Sequence, residues 1–145
     1  MDLQRTLFGY HFTTLSRLMF ALCKQGVAEL GLRPSHMPFM AELLHYDRPV
    51  TQDELSAALA IDKAATARAL DLLEQDGFVT RVVNPDNRRQ KLVAATPKAR
   101  EMQEPLFAVL RRASSTVMGN LTREETDRAV GLLDRMIENA VGALK

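Results

Sequence analysis

A mainly helical chain with one small β-hairpin is what this sequence predicts, and three observations predict it. Apolar residues recur at three- and four-residue steps at both the beginning and the end of the chain. Between these stretches, two short helical patterns meet across a tight turn, Ala60-Ile61-Asp62. A β-branched run, Phe78 to Val83, then leads to the tip Asn84-Pro85-Asp86-Asn87-Arg88-Arg89 and returns through Lys91-Leu92-Val93-Ala94-Ala95. Helix, turn, helix and basic hairpin in that order make a winged helix-turn-helix with a small β-wing, flanked in sequence by long apolar helices.

Each element has a local reason. Near residues 4–30, Phe8, Phe12, Leu15, Met19, Leu22, Cys23, Val27 and Leu30 form a helical stripe that Leu7, Leu18 and Ala21 widen. A helix apolar over so much of its surface must pack on two sides. In a chain of 145 residues, one of those sides is available to a second subunit. Gly31 is the expected stop. The second helix starts at Pro34, which suits the first helical position, or is capped by Ser35, and runs to about His45 with Phe39, Met40, Leu43 and Leu44 inward. Residues 46–50 read as a connector.

Thr51-Gln52-Asp53-Glu54 fits a capping box, with Thr51 as cap and Glu54 reaching back. Asp62 caps the next helix, which ends at Gly77. Asn84-Pro85-Asp86-Asn87 suits a type I turn. Thr96-Pro97 opens a further helix with the stripe Leu106, Leu110, Ala113, Val117 and Leu121, broken at Gly119-Asn120. Thr122-Arg123-Glu124-Glu125 is a second capping box, and the last helix carries Val130, Leu133, Ile137, Val141 and Leu144. The expected organisation is an N-terminal dimerisation helix (residues 1–32), a winged helix-turn-helix DNA-binding domain (33–96) and C-terminal dimerisation helices (97–145).

Net charge is only +1, but its distribution is uneven. In residues 80–100, Arg81, Arg88, Arg89, Lys91, Lys98 and Arg100 face only Asp86, the local footprint of a groove binder. A docked helix reads base edges mainly through its N-terminal residues. Here these are Lys63, Ala64, Ala65, Ala67 and Arg68. The two cations suit phosphates or guanine, whereas the alanines offer only a surface for thymine methyls. Thr66 falls on the inward face. Arg88 and Arg89 at the wing suit a narrow minor groove, whose negative potential is enhanced. Two copies would place two such helices about 34–36 Å apart on a pseudo-palindrome.

Other function classes lack their signatures. There is no glycine-rich phosphate loop, no His-Glu-x-x-His and no nucleophile elbow, so no enzyme is expected. His11, His36 and His45 do not form a ligand spacing with the one cysteine, Cys23, so neither metal nor cofactor is expected. No stretch approaches the ~18 apolar residues of a membrane span. The start Met1-Asp2-Leu3-Gln4-Arg5 lacks a signal-peptide pattern, so a cytoplasmic location is expected.

These motifs resemble those of the MarR family of bacterial transcription regulators, over residues 7–143. The segment Leu55-Ser56-Ala57-Ala58-Leu59-Ala60-Ile61-Asp62-Lys63-Ala64-Ala65-Thr66-Ala67-Arg68 is similar to the family's helix-turn-helix. Leu73-Glu74-Gln75-Asp76-Gly77-Phe78-Val79-Thr80-Arg81 is similar to its "L-E-x-x-G-hydrophobic-V-x-R" passage, and residues 84–96 match its "D-x-R…L-T" wing in spacing. The resemblance implies a homodimer held by the N- and C-terminal helices, binding double-stranded DNA at a pseudo-palindromic operator. It implies a repressor released by a small hydrophobic or phenolic ligand bound between the dimerisation helices and the DNA-binding domain. Tyr10, His11, Arg17, His36 and Met40 are the candidate pocket residues.

The family's minor-groove arginine falls on Arg89. This chain departs from the family pattern in having Asn87 for aspartate, alanines for Ser or Thr in the recognition helix, and Ala95 for leucine. Readout should therefore lean on the wing and on DNA shape. Some members sense peroxide through a cysteine in the first helix, but Cys23 lies late in that helix on its apolar stripe, as a structural thiol would. The alternative to a ligand-released repressor is a non-sensing architectural or protein-interaction module.

Overall fold

The computed structural model describes residues 3–145, with side chains from residue 7 onward. Met1 and Asp2, the start of the expected 1–32 segment and of the leader comparison, lie outside the described residues. The order is α1 (Leu3–Glu29), a 3-10 turn (Pro34–His36) running into α2 (Met37–His45), β1 (Val50–Thr51), α3 (Gln52–Leu59), α4 (Lys63–Gln75), β2 (Val79–Asn84), β3 (Asn87–Ala95), α5 (Pro97–Glu101), α6 (Gln103–Met118) and α7 (Arg123–Ala143). The chain forms two compact units, Met1–Ala113 and Ser114–Lys145, with the boundary inside α6. No helix among the described residues is long and apolar enough to cross a membrane.

The first unit is built around one apolar core. Leu43, Leu44, Leu55, Leu70, Leu73 and Leu106 are fully buried there, together with Met40, Val27, Val50, Val79 and Val93. Each such side chain contributes about 1.5–3 kcal/mol relative to an exposed one. The core therefore draws on the late part of α1 (Cys23, Val27) and on α6 (Leu106, Val109) as well as on the winged segment. α1 and α6 approach closely at Gly26, where an added Cβ would lie 2.7 Å from Val109 Cγ2. A side chain at residue 26 would push the two helices apart.

Local chemistry sets most boundaries as expected. The Thr51, Asp62 and Thr96 side chains accept from the backbone N–H groups of Glu54, Ala65 and Ala99. α4 closes at Gly77, held at φ +81°, a conformation glycine adopts without a Cβ clash. The turn after α3 is less ordinary: Ala60 sits at φ 53°. A left-handed alanine costs about 1–2 kcal/mol, and the cost is offset by hydrogen bonds from the Ala60 and Ile61 N–H groups to the Ala57 and Ser56 carbonyls, at 3.2 and 3.0 Å.

Four sequence expectations need correction. The α3 capping box is only half formed, because the Glu54 carboxylate turns to Arg48 Nη1 at 3.3 Å instead of reaching back. The helix expected from Thr96 is two helices, α5 and α6, separated at Met102. Pro105 explains the break: in a continuous helix its ring would clash with the Glu101 carbonyl, whereas in the first turn of α6 its missing N–H costs nothing. The supposed connector holds β1, whose Val50 pairs with Val93 and Thr51 with Leu92. Finally, the tip is shorter than expected. Asn84 pairs with Asn87, leaving Pro85-Asp86 as the turn, and Arg88 and Arg89 belong to β3.

The sheet has the order β1-β3-β2, antiparallel throughout. Its inner half is core, with Val79 and Val93 buried; its outer half leaves the core, with Val82 and Val83 exposed. Pro85 cannot supply the positive φ of a primed hairpin turn, and the ladder shifts register between Val83 and Asn84. Asn84 Oδ1 instead accepts the Asp86 N–H at 3.0 Å, and Asn87 Oδ1 accepts the Arg89 N–H at 3.1 Å.

In the second unit, α7 begins with a complete capping box. Thr122 Oγ1 accepts the Glu125 N–H at 3.1 Å, and Glu125 Oε1 accepts the Thr122 N–H at 3.0 Å. The backbone hydrogen bond holds the Glu125 carboxyl below its ordinary pKa. No residue of α7 is buried.

Candidate nucleic-acid interface

Helix α4, the second of the helix-turn-helix, divides into two faces. Thr66, Ala69, Leu70 and Leu73 are buried. Thr66 is a packed residue, as expected from its position: its Oγ1 accepts from Ser56 Oγ at 2.8 Å and donates to the Asp62 carbonyl at 3.0 Å. That pair ties α3 to α4 across the turn and fixes the angle between them. On the other face Lys63, Ala64 and Arg68 are exposed, while Ala65 and Ala67 are half-buried. Lys63 Nζ lies 3.4 Å from Asp53 Oδ1, so this cation is already partly neutralised by the first turn of α3. Among the described residues Arg68 forms no ion pair.

The basic run of residues 80–100 separates into two groups. Three members are structural. Arg100 donates to the Leu44 and Tyr46 carbonyls at 3.3 and 2.9 Å, satisfying the end of α2. Lys98 donates to the Asp76 carbonyl at 2.6 Å and lies 4.4 Å from the Phe78 ring centroid. Arg81, its side chain only 10% exposed, is bound by Asp71, Glu74 and Gln52. The other three, Arg88, Arg89 and Lys91, are exposed and form no ion pair among the described residues. Sequence counting overstated the free charge by treating all six alike.

The two wing arginines differ in what they border. Arg89 lines a groove of about 310 Å³ between the helix-turn-helix and the wing, together with Gln52, Asp53, Ala67, Asp71, Arg81, Gln90 and Lys91. Arg88 does not line it. Lys63, Ala64, Ala65, Ala67 and Arg68 thus begin one wall's helix and Arg89 sits on the other wall.

The five candidate pocket residues are not gathered within one chain. Tyr10, His11 and Arg17 are exposed on the early part of α1. His11 Nδ1 donates to the Leu7 carbonyl at 2.8 Å, and Arg17 Nη2 donates to Thr14 Oγ1 at 3.4 Å. Met40 and His36 are buried in the core. Arg17 precedes Cys23, where α1 enters that core, by six residues, about 9 Å of helix. Among the described residues His36 Nδ1 has no hydrogen-bond partner. Burial first, and then Arg33, lower the imidazole pKa, with Asp76 opposing.

An open recess of about 570 Å³ lies elsewhere, beside α2, lined by Pro38, Ala41, Glu42, His45, Tyr46, Leu59 and Phe107. Tyr46 donates from its hydroxyl to Glu42 Oε1 at 3.1 Å, and that bond raises its pKa. No sequence motif marks this recess, since its walls come from α2, α3 and α6. Cys23 is buried and its thiol pKa is raised by desolvation, the opposite of what a reactive thiolate requires.

Residues 42–91, which hold the helix-turn-helix and most of the wing, match the model of the MarR family. That segment is similar to the MarR family. Solved MarR-family structures share its architecture along nearly the whole chain. A MarR transcriptional regulator from Methanosarcina mazei Go1 superposes with a TM-score of 0.86 at 23% identity, covering 95% of this chain and 99% of that one. A MarR protein from Peptoclostridium difficile gives 0.86 at 25% identity, covering 92% and 87%. A putative MarR-family transcriptional regulator from Listeria monocytogenes, solved in complex with a 26-mer DNA, gives 0.84 at 19% identity, covering 90% and 86%. The winged helix-turn-helix expected from the sequence is therefore the fold that this chain shares with those structures.

Proposed function

We propose that this chain is a MarR-family transcription regulator that acts as a homodimer, binds a pseudo-palindromic operator in double-stranded DNA and represses by steric exclusion. The observation that carries the reading is the groove between α4 and the wing, lined by Ala67 and Asp71 of α4 and by Arg89, which forms no ion pair among the described residues, with Lys63 and Arg68 exposed on the same helix. In this reading Lys63 and Arg68 position the helix in the major groove. Ala64, Ala65 and Ala67 allow its close approach, and Arg89, with Arg88 beside it on the backbone, engages the minor groove. The DNA complex of the Listeria relative supports the same class of partner.

The dimer has its own support. Phe8, Phe12, Leu15, Leu18 and Leu22 are exposed along α1, and Val130, Leu132 and Ile137 along α7. On each helix, exposed apolar residues in this number suit an interaction site. Residues 1–32 and 97–145 would supply the dimer contacts, and residues 33–96 the DNA contacts. A small hydrophobic or phenolic ligand would release the operator by changing the spacing of the two recognition helices. Tyr10, His11, Arg17, His36 and Met40 remain its candidate contacts, and the recess beside α2 adds a second candidate place. A cytoplasmic location follows from the DNA partner.

The test is selection of bound sequences from a random duplex pool at stated salt. An enriched palindrome supports the reading, and titration of that complex with a phenolic ligand then tests release. Binding without enrichment would favour the non-sensing architectural module, for which the alanine-rich reading face of α4 is the specific supporting observation.

A further inference from the structure

Arg81 holds more of the interface together than any other residue on its face. It lies in β2, paired with Val93, at the point where the hairpin leaves the core. Its own N–H donates to Glu74 Oε2 at 3.1 Å. Its Nη1 donates to Gln52 Oε1 at 3.2 Å, and its Nη2 to Glu74 Oε1 at 3.3 Å and to Asp71 Oδ1. One side chain therefore joins the wing root to the first turn of α3 and to two positions one turn apart on α4. Beyond it Val82 and Val83 are 59% and 54% exposed, so the outer hairpin has no core to rest on. Arg81 and Asp71 also line the groove that Arg89 borders.

We infer that Arg81 is a positioning residue: its guanidinium, held by Gln52, Asp71 and Glu74, sets the angle of the wing on the recognition helix and hence where Arg89 meets the duplex. The geometry suits guanidinium, whose planar fork serves several acceptors at once; an ammonium is a point charge and would hold fewer of them in register. The inference rests on the DNA-binding reading above, and it makes a prediction opposite in sign to simple electrostatics. Asp71 is a carboxylate, 57% exposed, on a face proposed to meet phosphates. Removing its charge should tighten binding if charge alone matters. If the clamp matters, removal should weaken it.

The experiment uses full-length protein carrying Asp71→Asn or Arg81→Lys, the first at a half-exposed site where the fold is secure. Duplex affinity at fixed salt, hydroxyl-radical footprints, and residual dipolar couplings of the hairpin amides relative to those of α4 in the DNA-free protein are compared with the parent. Affinity falling roughly threefold to tenfold, loss of the wing's flanking protection and reduced hairpin couplings with α4 unchanged are expected for both variants. Asp71→Asn should add little on top of Arg89→Ala, since both act through the wing. Tighter binding by Asp71→Asn, or hairpin couplings equal to the parent's in both variants, would overturn the inference. Should the parent bind no duplex, the DNA-binding reading falls, and the couplings alone still decide whether Arg81 sets the wing angle.

Discussion

Helices α4 and α1 both carry apolar stripes, the one on α1 being wider, and these meet opposite fates. α4 hides its stripe inside its own unit, with Leu70 and Leu73 fully buried, and presents polar and small residues outward. α1 hides only its late residues, Cys23 and Val27, and leaves Phe8, Phe12, Leu15 and Leu18 in the open. The difference separates two kinds of leftover surface. A helix with a satisfied apolar face has a charged face free for phosphates, whereas one with an unsatisfied apolar face has a surface suited to another apolar surface. By itself, α7 belongs to the second kind.

Four perturbations sharpen or break that contrast. The largest is Leu70→Ala, which leaves a cavity at a fully buried site and should cost about 2–5 kcal/mol, read by urea unfolding. A loss below about 1 kcal/mol would mean that α4 is not held by its inner face. Next, Leu18→Glu should leave the far-ultraviolet dichroism of the protein native while removing any dependence of Tm on protein concentration, since it places a charge on apolar surface proposed to be shared between copies. A concentration dependence unchanged from the parent would take α1 out of the interface.

Arg89→Ala should leave stability within about 0.5 kcal/mol, as its side chain is exposed, and should reduce the salt slope of duplex binding by about one unit. An unaltered slope would move the wing contact to another cation. The smallest effect is expected for Thr122→Ala. Losing a cap costs about 1 kcal/mol, and α7 has no burial of its own to offset it. Amide exchange in residues 123–126 should rise while that in α4 stays unchanged.

What the sequence determined by itself is what lies within a few residues of its cause. Thr51, Asp62, Thr96 and Thr122 each accept a hydrogen bond from three residues onward, so a cap is visible as a residue type at a spacing. The tight turn, the exposed face of α4, the packed position of Thr66 and the late, buried place of Cys23 follow from the same short-range periodicity. Even the break at Met102 was written locally in Pro105, although the stripe beyond it concealed it.

Tertiary structure alone decided the rest. β1 has two residues, too few for any period, and exists because Val93 lies beside Val50. Arg81 finds Gln52 twenty-nine positions away and Arg100 finds the Leu44 carbonyl fifty-six positions away, and these contacts sort structural cations from free ones in a run that looks uniform in sequence. The half-formed box at Glu54 was lost in the same way, to an arginine outside the motif. A charge is written in the chain as a residue type, but its availability depends on which partners the fold brings within hydrogen-bonding distance, and a short-range pattern carries no information about that.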